Sequence, residues 1–86
     1  MEIYDRGFDV ISVRVKLTYP ENLVKVPLMA QMVRNFDITP NIRSAQVSDD
    51  IGWIICELDG NSASVDQALA WIKDQGVQID ILGAEV

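Results

Sequence analysis

The sequence predicts an α+β fold of the order βαββαβ, with four strands in one antiparallel sheet and two helices on one of its faces. Three observations carry this. A clean period-two alternation runs from Asp9 to Tyr19, and apolar stripes at helical spacing follow Pro27 and Ser62. Between those stripes lie two strand-like runs separated by Ser48-Asp49-Asp50 and Ile51.

In the first strand Ile11, Val13, Val15 and Leu17 fall on one face and Ser12, Arg14, Lys16 and Thr18 on the other. β-branched residues at period two on a single face mark a strand covered on one side. Pro20-Glu21-Asn22 ends it. Pro27 suits a helix start, where its missing N–H does no harm. Leu28, Met29, Met32, Val33 and Phe36 then follow at helical spacing, which places a helix over Val26 to Asn35. Pro40 bars its continuation and pushes Ile38 and Thr39 towards extended geometry.

Asn41 to Ser48 reads as a second, more polar strand and Gly52 to Leu58 as a strongly apolar third, joined as a hairpin. Asp59-Gly60-Asn61 reads as a break. Ser62 or Ser64 opens the second helix, and Ser64 with Gln67 has capping-box spacing. Val65, Ala68, Leu69 and Ile72 form its apolar stripe, and Gly76 is placed to end it in a left-handed conformation. Val77, Ile79 and Ile81 alternate in a last short strand.

Two βαβ halves joined by a hairpin are the split arrangement of the ferredoxin-like fold. Right-handed crossovers place strands one and three in the middle, in the order 4-1-3-2. Residues 1–86 are expected to form one domain, with 1–8 as a loose lead-in.

Charge and composition exclude several function classes. The chain has 86 residues, 13 acidic against 7 basic, for a net charge of −6. That field repels phosphate backbones, and no basic cluster interrupts it, so nucleic-acid binding is not expected. No apolar run is long enough to span a membrane, and Met1-Glu2-Ile3-Tyr4-Asp5 does not resemble a secretory signal. A single cysteine and no histidine leave no internal disulfide and no ligand set for zinc, haem or an iron–sulfur cluster. No metal or other cofactor is expected, and a reducing, cytoplasmic setting fits. A domain this short buries only about 60–65 % of its unfolded surface, which favours pairing with a second copy.

No catalytic constellation is present. The glycines form no phosphate loop, and Ser12, Ser44 and Cys56 have no histidine to serve them as base. The chain is therefore not read as an enzyme. Asp49-Asp50 is read as turn chemistry and not as a metal site. Cys56 shares parity with Ile54 and Leu58 and is read as a small core residue. Trp53 and Ile55 have the opposite parity and are expected on the open sheet face beside Arg14 and Lys16, as a contact surface. The competing reading covers them with Ile3, Tyr4 and Phe8. Trp71, off the main stripe, is expected half-buried. Asn41, following a proline, reads on its own as a loop cap or Asx turn.

Asn41-Ile42-Arg43-Ser44-Ala45-Gln46-Val47 resembles the motif strand of the NIL domain family. Gly60, Ala68-Leu69-Ala70-Trp71-Ile72, Gln75-Gly76-Val77-Gln78-Ile79 and Ile81-Leu82-Gly83 resemble that family's closing helix and strand, so the similarity spans Asp9 to Gly83. The resemblance implies a fold related to ACT-type regulatory domains. It also implies paired domains that bind methionine and shut off an importer, with Asn41 in ligand recognition at the dimer interface. Ser48-Asp49-Asp50-Ile51 is shorter than the glycine-bearing loop of the importer domains.

Together these readings lead to a homodimeric, non-catalytic regulatory domain that senses an amino-acid-like ligand. Asn41 would bond the ligand's polar end, and Ile42 would hold its side chain. A separate transporter or ferredoxin-type protein is the partner implied by resemblance. The alternative is an adaptor that docks a larger protein through the edge strand, Trp53 and Ile55.

Overall fold

β1 (Val10–Tyr19) is one of the two central strands, paired antiparallel with β3 (Gly52–Asn61) on one side and β4 (Gln78–Glu85) on the other. β2 (Ile38–Val47) closes the sheet at the far edge of β3, so the order is β2-β3-β1-β4. This is the expected 4-1-3-2 order read from the opposite edge. The structure, a computed structural model, describes residues 10–85. The expected lead-in at 1–8, with Ile3, Tyr4 and Phe8, lies outside them.

Two helices complete the fold, α1 (Leu28–Asn35) and α2 (Ser62–Asp74). The core forms where their apolar stripes meet one face of the sheet. Val13, Val15, Leu17 and Tyr19 of β1 and Cys56 and Leu58 of β3 are buried there against Leu28 and Met32 of α1 and Val65, Ala68 and Ile72 of α2. Cross-strand partners point to the same face, and the pairs Val15–Cys56 and Val13–Leu58 match the alternation in the sequence. Cys56 is thus a core residue, fully buried. Phe36 and Trp71 meet as a tilted aromatic pair with centroids 5.9 Å apart, and Trp71 is half-buried as its place off the stripe suggests.

Several boundaries differ from the sequence expectation, each for a local reason. β2 begins at Ile38 and carries Pro40 inside it. An edge strand tolerates a residue without an N–H, and burial of Ile38 in the core anchors the early start. β3 continues through Asp59, Gly60 and Asn61, where a break was expected. Gly60 pairs with both Ile11 and Ile38, and a Cβ there would stand 2.9 Å from the Asp37 carbonyl, so the glycine permits a close approach inside the strand. α1 starts at Leu28 and not Val26, because the chain first makes a short 3₁₀ turn at Glu21–Leu23.

α2 is capped by Asn61, whose Oδ1 accepts from the Ser64 N–H at 2.8 Å, not by Ser64 with Gln67. Gly76 adopts φ 108° after α2, as a left-handed terminator should. Val77 is buried just before β4, which begins at Gln78. The register against β1 shifts so that Val15 faces Ile81 and Arg14 faces Gly83, with Leu82 as the extra residue. Ile81, expected on the covered face, does face that way but is 58 % exposed because it stands at the sheet's rim.

Candidate functional site

The open sheet face is built in rows set by strand register. Gln46, Trp53, Thr18 and Gln78 form one row; Ser44, Ile55, Lys16 and Asp80 form the next; Asn41, Glu57, Arg14 and Gly83 form a third. Trp53 and Ile55 therefore share this face, each half-exposed, and Lys16 Nζ lies 5.2 Å from the centre of the Trp53 ring. That contact shields the indole face with a cation while leaving it at the surface.

The third row is ionic. Arg14 Nη2 donates to Glu57 Oε2 at 2.6 Å and Arg14 Nε to the same oxygen at 3.2 Å, while Arg43 Nη1 lies 3.7 Å from Glu57 Oε1. The hydrogen bond from Arg14 holds the Glu57 carboxyl below the usual range; desolvation opposes it, and the charges of Arg43 and Arg14 add to it. Two arginines around one carboxylate leave a local positive excess in a chain of net charge −6. A shallow depression of about 300 Å³ opens beside Arg14, floored by Ser12, Gly83 and Ala84.

Asn41 stands directly opposite Glu57, exposed, with its side chain on this open face. Ile42 points the other way: it pairs with Cys56 on the helix side, yet is 54 % exposed, unlike Ile38 earlier in the same edge strand, which is buried in the core. Neighbours in a strand alternate faces. A ligand touching both must therefore sit at the outer rim of β2, where Asn41 and Ile42 are accessible together. The register slips between Ile42 and Ser44, and Arg43 is the residue in excess.

A second cavity, about 120 Å³, lies on the helix side between the β1–α1 connection and the β2–β3 hairpin. Its walls are almost wholly apolar. Tyr19 is one of the lining residues, and its hydroxyl is itself buried, with no hydrogen-bond partner among the described residues. An unpaired buried donor of this kind destabilises by about 1–3 kcal/mol. Burial, with a smaller contribution from Cys56, pushes the Tyr19 phenol up to about 12, and burial pushes the Cys56 thiol up to about 11. Both groups stay protonated at neutral pH, and a buried, protonated thiol is a poor nucleophile.

The hairpin turn is held by Ser48, whose N–H donates to the Ile51 carbonyl at 2.7 Å and whose hydroxyl lies 3.3 Å from Asp50 Oδ1. This is the turn chemistry read from Asp49-Asp50. Among the described residues no His/Cys/Asp/Glu group is arranged to hold a metal ion. Nor is any described helix long and apolar enough to cross a membrane.

Sequence reasoning placed Asn41, Ile42, Trp53 and Ile55 in strands but missed two features. The Arg14–Glu57–Arg43 group was signalled by a charged residue inside the apolar run Ile54-Ile55-Cys56-Glu57-Leu58, opposite a strand bearing Arg14. The Tyr19 hydroxyl was signalled by parity alone, since Tyr19 continues the buried face of Val13, Val15 and Leu17.

Comparison with known proteins agrees with this architecture. The chain is 31 % identical over 71 residues to the methionine import ATP-binding protein MetN of Helicobacter hepaticus, covering 78 % of this chain and 20 % of that protein. It is 30 % identical over 77 residues to the MetN of Photorhabdus laumondii, covering 85 % and 22 %. Against the Escherichia coli MetN the identity is 27 % over 73 residues. The chain thus spans about a fifth of the length of the curated relatives it matches. In fold it is similar to the C-terminal domain of an ABC transporter ATP-binding protein from Enterococcus faecalis, with a TM-score of 0.72 at 16 % identity over 83 % of each chain. The NIL domain profile matches residues 13–81, nearly the whole βαββαβ unit. The chain belongs to the NIL domain family.

Proposed function

We propose that this chain is a non-catalytic regulatory domain that pairs with a second copy along β2 and senses a small amino-acid-like ligand at that edge. The observation that carries the reading is the opposed orientation of Asn41 and Ile42 on an edge strand whose outer side has no paired strand among the described residues. A rim site needs a second wall, and a second copy supplies one. Ile42 and Val47, 54 % and 63 % exposed, both lie on the helix side of β2 and would be covered by it.

An antiparallel pairing about a two-fold axis between Arg43 and Ser44 keeps faces matched, because Asn41 then meets Gln46 of the second copy and Ile42 meets Ala45. The Asn41 amide offers a donor and an acceptor to the polar end of a ligand, and Ile42 an apolar wall for its side chain. The relatives' names supply methionine as the first ligand to try. By the same likeness, an importer ATPase is the first larger partner to try. The ferredoxin-like, ACT-related reading of the fold and the single-domain span 1–86 are supported by the element order and the sheet order.

Two measurements test this together. Light scattering on a sizing column should give a dimer mass for the native chain and a monomer for Ile42→Asp. Titration calorimetry with the twenty amino acids should give heat for methionine or a near relative, reduced roughly tenfold in Asn41→Ala when its hydrogen bond is lost. Silence across the panel would refute the sensor.

A second reading is favoured by one observation, the half-exposed Trp53 and Ile55 side by side on the open face. There the domain is an adaptor docking a larger protein. It predicts that Trp53→Ala or Ile55→Asp removes a captured partner from a native lysate while leaving the dimer mass unchanged.

A further inference from the structure

Two charged side chains beside Asn41 have bonding capacity to spare. Arg14 places both its hydrogen bonds to Glu57 on one oxygen, Oε2, so Oε1 accepts none among the described residues. Arg43 Nη1 stands 3.7 Å from Oε1, close enough for attraction and too far for a hydrogen bond. The Arg43 side chain is 50 % exposed and that of Glu57 24 %, so solvent reaches both. Asn41 is the exposed partner of Glu57 across the β2–β3 pair, and directly opposed residues carry their Cβ atoms about 4.5–5.5 Å apart. An open carboxylate oxygen, a guanidinium with no hydrogen-bonded partner among the described residues, and an amide therefore gather within one strand spacing of the β2 edge.

We infer that Arg43 and Glu57 join Asn41 in reading the charged head of a zwitterionic α-amino acid. The ligand's carboxylate accepts from Arg43, its ammonium donates to Glu57 Oε1, and the Asn41 amide, able to donate and accept, serves both. The inference rests on the amino-acid-sensing reading and adds which groups of the ligand must be charged. Such a head group enters the long Arg43–Glu57 contact and replaces it with two charge-assisted hydrogen bonds. The charges match one for one. Arg14 is a positioning residue here, since its two bonds hold the Glu57 carboxylate in place and keep it ionised at neutral pH. A ligand charged at one end only would leave Arg43 or Glu57 unmatched, and a polar site rejects an analogue that lacks its partner group.

Methionine, its methyl ester and N-acetylmethionine are the probes, because the ester lacks the carboxylate charge and the N-acetyl form lacks the ammonium. Calorimetry on the native chain should show each derivative bound roughly tenfold more weakly than methionine, as one charge-assisted hydrogen bond is lost. In Arg43→Gln the ratio of methionine to ester affinity should fall to about one. Glu57→Gln should do the same to the ratio of methionine to N-acetylmethionine. Each ratio is read within one variant, so a change in its stability cancels. The inference is overturned if the derivatives bind the native chain as tightly as methionine, or if either variant preserves its ratio. If methionine still binds and Asn41→Ala still weakens it, the sensor reading survives that failure. Should methionine be silent while another of the twenty amino acids gives heat, that amino acid and its two derivatives replace the methionine set. Silence across the whole panel overturns the inference and the sensor reading together.

Discussion

Arg14 and Glu57 face each other across the two central strands, the guanidinium placing two N–H groups on a single carboxylate oxygen at 2.6 and 3.2 Å. The second oxygen is left to Arg43, across the neighbouring strand pair. The group ties β2, β3 and β1 together on a face that, among the described residues, carries no core of its own.

The sign of its pH dependence follows from the depressed Glu57 carboxyl. A carboxylate whose pKa is lower folded than unfolded stabilises above its unfolded value and loses that contribution as pH falls through the folded one. Thermal midpoints measured from pH 7 down to pH 3 should therefore decline less steeply for Glu57→Gln than for the native chain. The difference should shrink in 1 M salt, because the pair is partly exposed.

At the alkaline end the sign reverses. Cys56 rises from 9.0 to about 11 and Tyr19 from 10.0 to about 12, so both favour the fold fully below their unfolded values. That contribution is lost between about pH 9 and pH 12. Melting curves over pH 8 to 11 should show a falling midpoint, less steep in Tyr19→Phe above pH 10. At pH 8, Cys56 should react with a thiol reagent much more slowly in the native chain than in denaturant.

Gly60 is the position where one methyl group should do most damage. Its added Cβ would meet the Asp37 carbonyl at 2.9 Å, with Ile38 and Val65 close behind. Backbone must move to make room, and Gly60→Ala should lose about 1–3 kcal/mol in urea unfolding. Gly83, which has nothing within 4 Å, provides the control: Gly83→Ala should unfold near the native midpoint.

Asn61 closes β3 and caps α2 with the same side chain. Asn61→Ala should lose about 1 kcal/mol, and Asn61→Asp should keep most of it because aspartate also caps and favours the helix N-terminus. Denaturant titration followed at 222 nm measures both.

How far the fold was legible depends on the range of the interaction. Alternation in β1 identified the buried face through Val13, Val15 and Leu17, because a one-sided strand writes its environment at period two. Handedness and hairpin connection then sufficed for strand order. Boundaries that depend on a neighbour were not legible. Gly60 looks like a turn residue until Asp37 is known to pass beside it, and Pro40 looks like a terminator until β2 is known to be an edge. The same holds for the site. Parity placed Trp53 and Ile55 on the open face, but the approach of Arg14 and Arg43 to Glu57 needs the register of three strands. The opposed directions of Asn41 and Ile42 follow from their adjacency, whereas the cavity beside Tyr19 is assembled from four separate segments.

Among the described residues, every buried core residue belongs to the side of the sheet that the helices cover, and none to the other. Selection for folding therefore acts on one set of alternating positions and scarcely on its complement. The rows through Trp53, Ile55 and Glu57 can drift, be recruited and be lost again without the chain ceasing to fold. A lineage that keeps this domain can thus change what the open face recognises while inheriting the scaffold intact.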